Sequence, residues 1–275
     1  MSGQPEMPKQ PKQPKQPRGP AEGEHRIDVE DSDGVRLVAF DRDTARNAFD
    51  AAMYHAVNGA LVDALADDAV HAVVLTGRGR AFTAGQDLRE MVVIATGGAG
   101  PDAGSGFRSL LDTVMSFDKP LLAAVHGVGM GLGCTLLGHV DLVLMEEGAR
   151  LRAPFAEMGV PPEAASSFLL PERLGWQRAS SLLLASEWID ADEAVRAGLA
   201  LRVCRTGTVV DETMALACTI ASFPPQATRR IKRLMMAGRR PQIEAARSRE
   251  ESAFAELFAD PETNPGTRLA AGLDG

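Results

Sequence analysis

The chain has 275 residues, 45% of them hydrophobic and 24% charged, which is the balance of a globular protein large enough to bury its own core. A net charge of −8 argues against a general nucleic-acid-binding role. Cys134, Cys204 and Cys218 and the five scattered histidines show no metal-ligand spacing, and no apolar run marks a membrane span or a signal core, so a cytoplasmic protein without metal is expected.

Residues 1–24 read as a tail. Pro5, Pro8, Pro11, Pro14, Pro17 and Pro20 recur every third residue, with Lys9, Lys12, Lys15 and Arg18 in the same period. Polyproline II has about three residues per turn, so prolines would line one edge and cations another. With almost nothing apolar to bury, the tail is expected to be disordered and solvated; a docking peptide for an aromatic groove or an anionic surface is the alternative.

From about residue 25 the composition becomes globular. Ile27–Val29 and Val35–Phe40 flank a turn rich in Asp and Gly and predict a β-hairpin. Asp50 is a good N-cap for a helix to about Ala66, with Met53, Val57, Leu61 and Leu65 toward the core. A strand at His71–Leu75, a glycine-bearing loop and a helix at about Asp87–Ile94 follow; Ala95–Ser105 reads as a mobile surface loop. A helix at Phe107–Phe117, a strand at Leu121–Val125, a second glycine loop, a helix through His139 and a strand at Asp141–Met145 come next. Residues 155–200 read as mostly helical, broken at Pro161-Pro162 and at Pro171. Leu201–Cys204 is a short strand, and amphipathic helices interrupted by Pro224-Pro225 and Pro241 end the chain. Repeated strand–helix units with a helical C-terminus indicate an α/β fold.

The two glycine loops are Gly77–Leu88 and His126–Leu137, each between a strand and a helix. The first lacks Gly-Lys-Ser/Thr, and the second lacks the third glycine of a dinucleotide fingerprint, so neither is a phosphate loop. An oxyanion hole fits: backbone N–H donors are worth about 3–4 kcal/mol each to a developing enolate, and helix N-termini add partial positive charge. Glycines that merely let two turns pack closely fit as well.

Ala81-Phe-Thr-Ala-Gly-Gln-Asp-Leu88 resembles the first signature of the enoyl-CoA hydratase/isomerase (crotonase) superfamily, and Lys119–Gly133 resembles the second. Ile189–Leu199 resembles a third, structural stretch, so the likeness runs from about residue 25 to 235. The resemblance implies a crotonase-like spiral of ββα repeats over 25–222 and a C-terminal helical module at 223–275 that trimerises, as a trimer or dimer of trimers. It implies an acyl-CoA substrate, coenzyme A being part of that substrate rather than a separate cofactor. The thioester oxygen would accept from the backbone N–H groups of Gln86 and Leu132. Asp87 would cap its helix, Thr83 and Ala84 would meet the adenosine end, and Arg42 and Arg46 would approach the pantetheine-phosphate end. Lys232, with Arg229, Arg230 and Arg233, would supply cations for CoA phosphates; a solvated basic face explains these charges too.

The resemblance also bears on the reaction. Hydratases of this superfamily carry two glutamates, at positions matched here by Thr135 and Phe155. Losing one general acid or base typically costs about 10²–10⁴-fold, so hydration is disfavoured. Pro162-Glu163-Ala-Ala-Ser-Ser167 resembles a segment of the Δ3,Δ2-enoyl-CoA isomerase branch whose Glu is the single base. Its apolar flanks would raise the carboxyl pKa, which suits a proton shuttle; a surface glutamate at a helix start is the plain alternative. Glu157 is a rival base, while Asp141, His126 and Cys134 read as structural. Hydration or C–C cleavage on the same scaffold, and a CoA-binding module without catalysis, compete with the isomerase reading.

Overall fold

The computed structural model describes residues 26–95, 104–260 and 264–265. The 1–24 tail and most of the glycine-rich stretch 95–105 lie outside the described residues.

The hairpin forms as β1 (Ile27–Ser32) and β2 (Val35–Phe40), paired antiparallel. Asp33 and Gly34 take φ of 50° and 77°, the double left-handed step of a turn whose twist matches its strands. Helix α1 (Ala51–Ala66) starts where the Asp50 carboxylate accepts the Met53 N–H at 2.8 Å. Its Met53, Val57 and Leu61 are fully buried, and Leu65 packs partly buried on the same core. Strand β3 (Ala72–Gly77) is followed by α2 (Leu88–Ala95) and α3 (Ser105–Ser116). Next come β4 (Leu121–Val125), β5 (Val128–Met130) and α4 (Leu132–Thr135), then β6 (Leu142–Glu146), β7 (Arg150–Arg152) and α5 (Phe155–Met158). Helices α6 (Ser166–Leu174) and α7 (Trp176–Leu184), β8 (Ile189–Asp190), α8 (Ala191–Ala197) and β9 (Arg202–Cys204) complete the core. Helices α9 (Val209–Ala221), α10 (Pro225–Ala237) and α11 (Arg240–Ala259) end it.

The strands form two sheets. The six-stranded one runs β1-β2-β3-β4-β6-β9, parallel after the hairpin, and the three-stranded one runs β5-β7-β8. Each unit β4-β5-α4 and β6-β7-α5 places one strand in the large sheet, the next in the small sheet, and then a helix. Strand β3 begins the same pattern in reduced form, because Thr83 after it bridges Gly129 of β5. The result is the spiral of ββα units that the sequence implied. Strand side chains alternate: Val73 and Leu75 enter the main core, while Ala72 and Val74 enter a second one, closed by Val209, Ala217 and Ala221 of α9. The large sheet is therefore covered on both faces, which is why its strands read as unbroken apolar runs.

Strands β5, β7 and β8 were not expected; at two or three residues they are too short for a periodic signal. Pro171 does not break a helix but lies inside α6. Burial of Leu169, Leu170 and Leu174 at about 1.5–3 kcal/mol each outweighs the roughly 3 kcal/mol cost of an interior proline. Pro225 and Pro241 sit in the first turns of α10 and α11, where a missing N–H leaves no helical bond unmade.

The expectation that Lys232 binds CoA phosphates is corrected. Lys232 is 7% exposed; its Nζ lies 2.7 Å from Asp141 Oδ2 and donates to the Lys119 carbonyl at 2.8 Å. Lys119 in turn donates to the carbonyls of Ala64 and Asp67 at the end of α1. Arg229 and Arg233 both pair with Asp118. The basic run thus anchors α10 to the start of β4. Truncating one partner of such a pair strands the other, so Lys232→Met should lower unfolding free energy by about 3 kcal/mol in urea titrations. A loss below about 1 kcal/mol would show that the pair does not hold α10 in place.

Candidate active site

The site begins where the two glycine loops cross. Thr83 N–H donates to the Val128 carbonyl at 3.2 Å, and the Thr83 carbonyl accepts the Met130 N–H at 3.0 Å. A Cβ on Gly133 would stand 2.7 Å from Thr83 Cγ2 and 2.9 Å from its carbonyl oxygen. Gly85 holds φ of +84°, and a Cβ there would collide with the Met130 carbonyl oxygen while standing 3.3 Å from Leu132 N. Only glycine fits both positions, so close packing of the turns is real, and it also brings the two loops' backbone nitrogens together. Neither the Gln86 N–H nor the Leu132 N–H has a hydrogen-bond partner among the described residues. Chemically the crossing offers two backbone donors, on adjoining loops, without partners among the described residues.

An acid–base group adjoins the same crossing. Thr135, fully buried, donates its hydroxyl to Glu163 Oε1 at 2.8 Å. Thr135 ends the short helix that Leu132 begins, so donor and hydroxyl are separated by about one helical turn of 5.4 Å. Burial pushes the Glu163 carboxyl up to about 7, against the Thr135 hydrogen bond, which lowers it; the negative Glu250 adds a smaller upward push. The residue is partly exposed, but its carboxyl lies deep among protein atoms, and it is the carboxyl that titrates. Tyr54 of α1 completes the wall. Its hydroxyl donates to Gln86 Oε1 at 2.6 Å, and its pKa is driven well up by burial first, then by the charges of Glu163 and Glu90.

The other residues singled out in the sequence divide into two groups. Ala84 donates its N–H to the Arg46 carbonyl at 2.9 Å, while its own carbonyl has no partner among the described residues. Arg46 is exposed, with φ of 51°, and its guanidinium makes no ion pair among the described residues. Two expected CoA contacts are corrected. Thr83 is fully buried: besides its backbone bonds, its hydroxyl donates to the Asn47 carbonyl at 2.6 Å and accepts the Gly85 N–H at 3.0 Å. It is a structural strut with no polar atom left over. Arg42 bridges two helix caps, Asp87 at 2.7 Å and Asp50 at 3.5 Å.

Asp87 caps α2 through the Arg89 N–H; burial pushes its carboxyl pKa up, but the hydrogen bonds from Arg42 and from the Arg89 N–H outweigh it and leave the pKa below the usual value. Glu157 points outward to Arg152. Asp141 accepts the Leu121 N–H and pairs with Lys232. His126 Nε2 meets the Gly79 carbonyl at 3.2 Å. Phe155 is buried in the core. Sequence reasoning missed Tyr54, His139 and Glu250. Tyr54 is the sole tyrosine of the chain, which was the one available signal; His139 and Glu250 carry no local motif.

The model of the family described as "Enoyl-CoA hydratase/isomerase" matches residues 30–269. Enoyl-CoA delta isomerase 2 of Rattus norvegicus is 32% identical over 235 residues, covering 84% of this chain and 60% of that protein, so the chain spans less than two thirds of this relative's length. 2,3-Dehydroadipyl-CoA hydratase of Escherichia coli is 30% identical over 232 residues, covering 84% of this chain and 90% of that protein. The crystal structure of an enoyl-CoA hydratase/isomerase from Pseudoalteromonas atlantica T6c superposes with a TM-score of 0.83 at 32% identity, covering 90% of this chain and 96% of that one.

A carboxyl whose pKa is about 7 folded and 4.5 unfolded releases its proton earlier from the unfolded chain. Stability therefore falls as pH rises through that window. Glu163→Gln should remove this dependence and stabilise the fold at pH 8 by about 2–3 kcal/mol relative to its effect at pH 4. Equal effects at the two pH values in denaturant titrations would show that the carboxyl is not perturbed.

Proposed function

The chain belongs to the enoyl-CoA hydratase/isomerase family, and on that premise we propose that it moves a carbon–carbon double bond from C3 to C2 of an enoyl-CoA, with Glu163 as its single base. One observation carries this reading: the Glu163 carboxyl, at about 7, is hydrogen-bonded by the helix that begins with the Leu132 N–H, which has no partner among the described residues. A group that must both take and return a proton near neutrality works best at such a pKa.

In the proposed reaction the Glu163 carboxylate takes a proton from C2 of the 3-enoyl thioester. The freed electron pair spreads over C2, C3, C4 and the thioester oxygen as a dienolate. That oxygen accepts from the Gln86 and Leu132 N–H groups, whose donation strengthens as charge develops. The protonated Glu163 then delivers its proton to C4, leaving the double bond between C2 and C3. Thr135 keeps the carboxyl aimed by its 2.8 Å bond. The proton is conserved within the site, so the scheme calls for no metal or redox group, and coenzyme A enters with the substrate. Ala84 offers its carbonyl, and Arg46 its exposed charge, to the nucleotide end. The exposed Ile231, Leu234 and Met235 of α10 suit self-association. Among the described residues no helix is long and apolar enough to cross a membrane.

Water addition is disfavoured by the same side chains. Thr135 and Phe155 stand at the two positions matched to hydratase glutamates, and Phe155 is buried in the core.

Purified protein should convert 3-enoyl-CoA to the conjugated 2-enoyl-CoA, read by the rise in ultraviolet absorbance of the conjugated thioester. Glu163→Gln should reduce this rate by about 10²–10⁴-fold. In the wild type, kcat/KM should rise about tenfold per pH unit up to pH about 7 and then level off, because the base must be ionised. Activity of Glu163→Gln within a few-fold of wild type, or faster hydration of 2-enoyl-CoA than isomerisation of 3-enoyl-CoA, would overturn the reading. Arg46→Ala should weaken binding of a CoA analogue by about 0.5–1 kcal/mol in calorimetry, an exposed cation's usual contribution, and leave kcat unchanged.

A further inference from the structure

We infer that Glu250, on the C-terminal helix α11, is the positioning residue that holds the Glu163-bearing turn in its reactive conformation. The inference rests on Glu163 being the base. It starts from the backbone just after that residue. Ala164 and Ala165 both adopt left-handed conformations, with φ of 59° and 57°. Each costs a non-glycine residue roughly 1–2 kcal/mol. Two in succession persist only where the surroundings hold them.

The holding groups come from two other elements. Glu250 Oε2 accepts the Ala165 N–H at 2.7 Å and Oε1 accepts the Ser167 N–H at 2.8 Å, so one carboxylate grips the turn and the first turn of α6 together. The residue at the cap position of α6 is Ala165, which has no side-chain oxygen, and Glu250 does that work from 85 positions further along the chain. On the opposite side, His139 Nε2 donates to the Ala164 carbonyl at 2.8 Å; burial holds its pKa at about 4, so the ring is neutral and this nitrogen carries the proton. The Ser166 N–H returns to the Glu163 carbonyl at 3.0 Å. The Glu163 side chain is then clasped at its tip by Thr135. Glu250 is 5% exposed, and α11 is seated there by Ile243 and Ala246 against Ala165 and Leu169.

The groups that bear on the Glu163 charge are the Thr135 hydroxyl of α4 and Glu250 of α11; Tyr54 of α1 feels the Glu163 charge in turn, and Arg249 acts on Glu250. Glu250 is the one among them that pushes the Glu163 pKa up by charge. A carboxamide in its place keeps one of the two acceptor oxygens, turns an NH2 donor toward the other N–H, and carries no charge. Two consequences follow together: the turn loosens, and the base becomes more acidic.

The test compares wild type with Glu250→Gln, Glu250→Ala and Glu250→Gln/Ala165→Gly in 3-enoyl-CoA isomerisation, with thermal unfolding recorded on each so that rates are taken where all are folded. Glu250→Gln should lower kcat by about 10–100-fold, the usual cost of about 1 Å of misplacement, with KM little changed. Its acidic limb should move to lower pH than in wild type. Glycine at position 165 occupies the left-handed region freely, so the double variant should recover part of kcat. Wild-type kcat and an unmoved limb in Glu250→Gln would overturn the inference, as would a higher KM at unchanged kcat or no recovery in the double variant. Should Glu250→Ala fail to fold, the near-isosteric Glu250→Gln still decides. The two readings fail separately: an active Glu163→Gln removes the base itself, whereas an inactive Glu163→Gln beside a wild-type-like Glu250→Gln removes only the role of Glu250.

Discussion

The exchange of backbone hydrogen bonds between Thr83 and the Val128–Met130 strand is the constraint on which the site depends. It forces two turns from different ββα units into contact, closer than any side chain would allow at Gly85 or Gly133. At this contact the N–H groups of Gln86 and Leu132 have no partners among the described residues. Unsatisfied donors in a buried place are costly unless something accepts from them. Here the cost is fixed by strand pairing and sheet register, which a large two-faced core supports. Because the donors are backbone atoms, the side chain at Leu132 is free to pack, and it is almost fully buried.

The chemical half of the site is a balance of two opposed effects on one carboxyl. Burial raises the Glu163 pKa and the Thr135 hydroxyl lowers it; burial is the larger, and the result is about 7. The same threonine occupies the position at which hydratases carry a glutamate. A hydroxyl there donates to a base instead of competing with it for charge, as a second carboxylate would. Thr135 thus gives Glu163 a hydrogen-bond donor rather than a second negative charge.

Much of this was legible in the sequence, for local reasons. Asp33-Gly34 and the Asp50 cap speak through turn and cap chemistry, and both occur as read. The glycine loops could be placed because glycine is demanded by contact, whereas Glu163 is singled out by the family resemblance of its segment together with its apolar flanks. The misread polar residues owe their roles to non-local partners. Lys232 and Arg42 look like surface cations in the sequence, yet each has an acidic partner far along the chain that draws it inward. Thr83 has the right neighbours for a ligand contact, but strand pairing and Asn47 take its polar atoms. Strands of two or three residues leave no periodic trace, and Glu250 acquires meaning only when α11 is laid across α6.

Cys134 gives the site one further property. It lies in α4 between Leu132 and Thr135, fully buried and unbridged, and burial drives its thiol up to about 12. Since the thiolate is the reactive form, only about 1 in 10⁵ of these sulfurs is ionised at neutral pH. Burial and the raised pKa together shield it from oxidants and alkylating reagents while α4 is folded. The half-buried Cys218, on a different helix, reports instead on its own surroundings. Cys134 is thus placed to report on opening of α4, the helix whose last residue, Thr135, is hydrogen-bonded to Glu163.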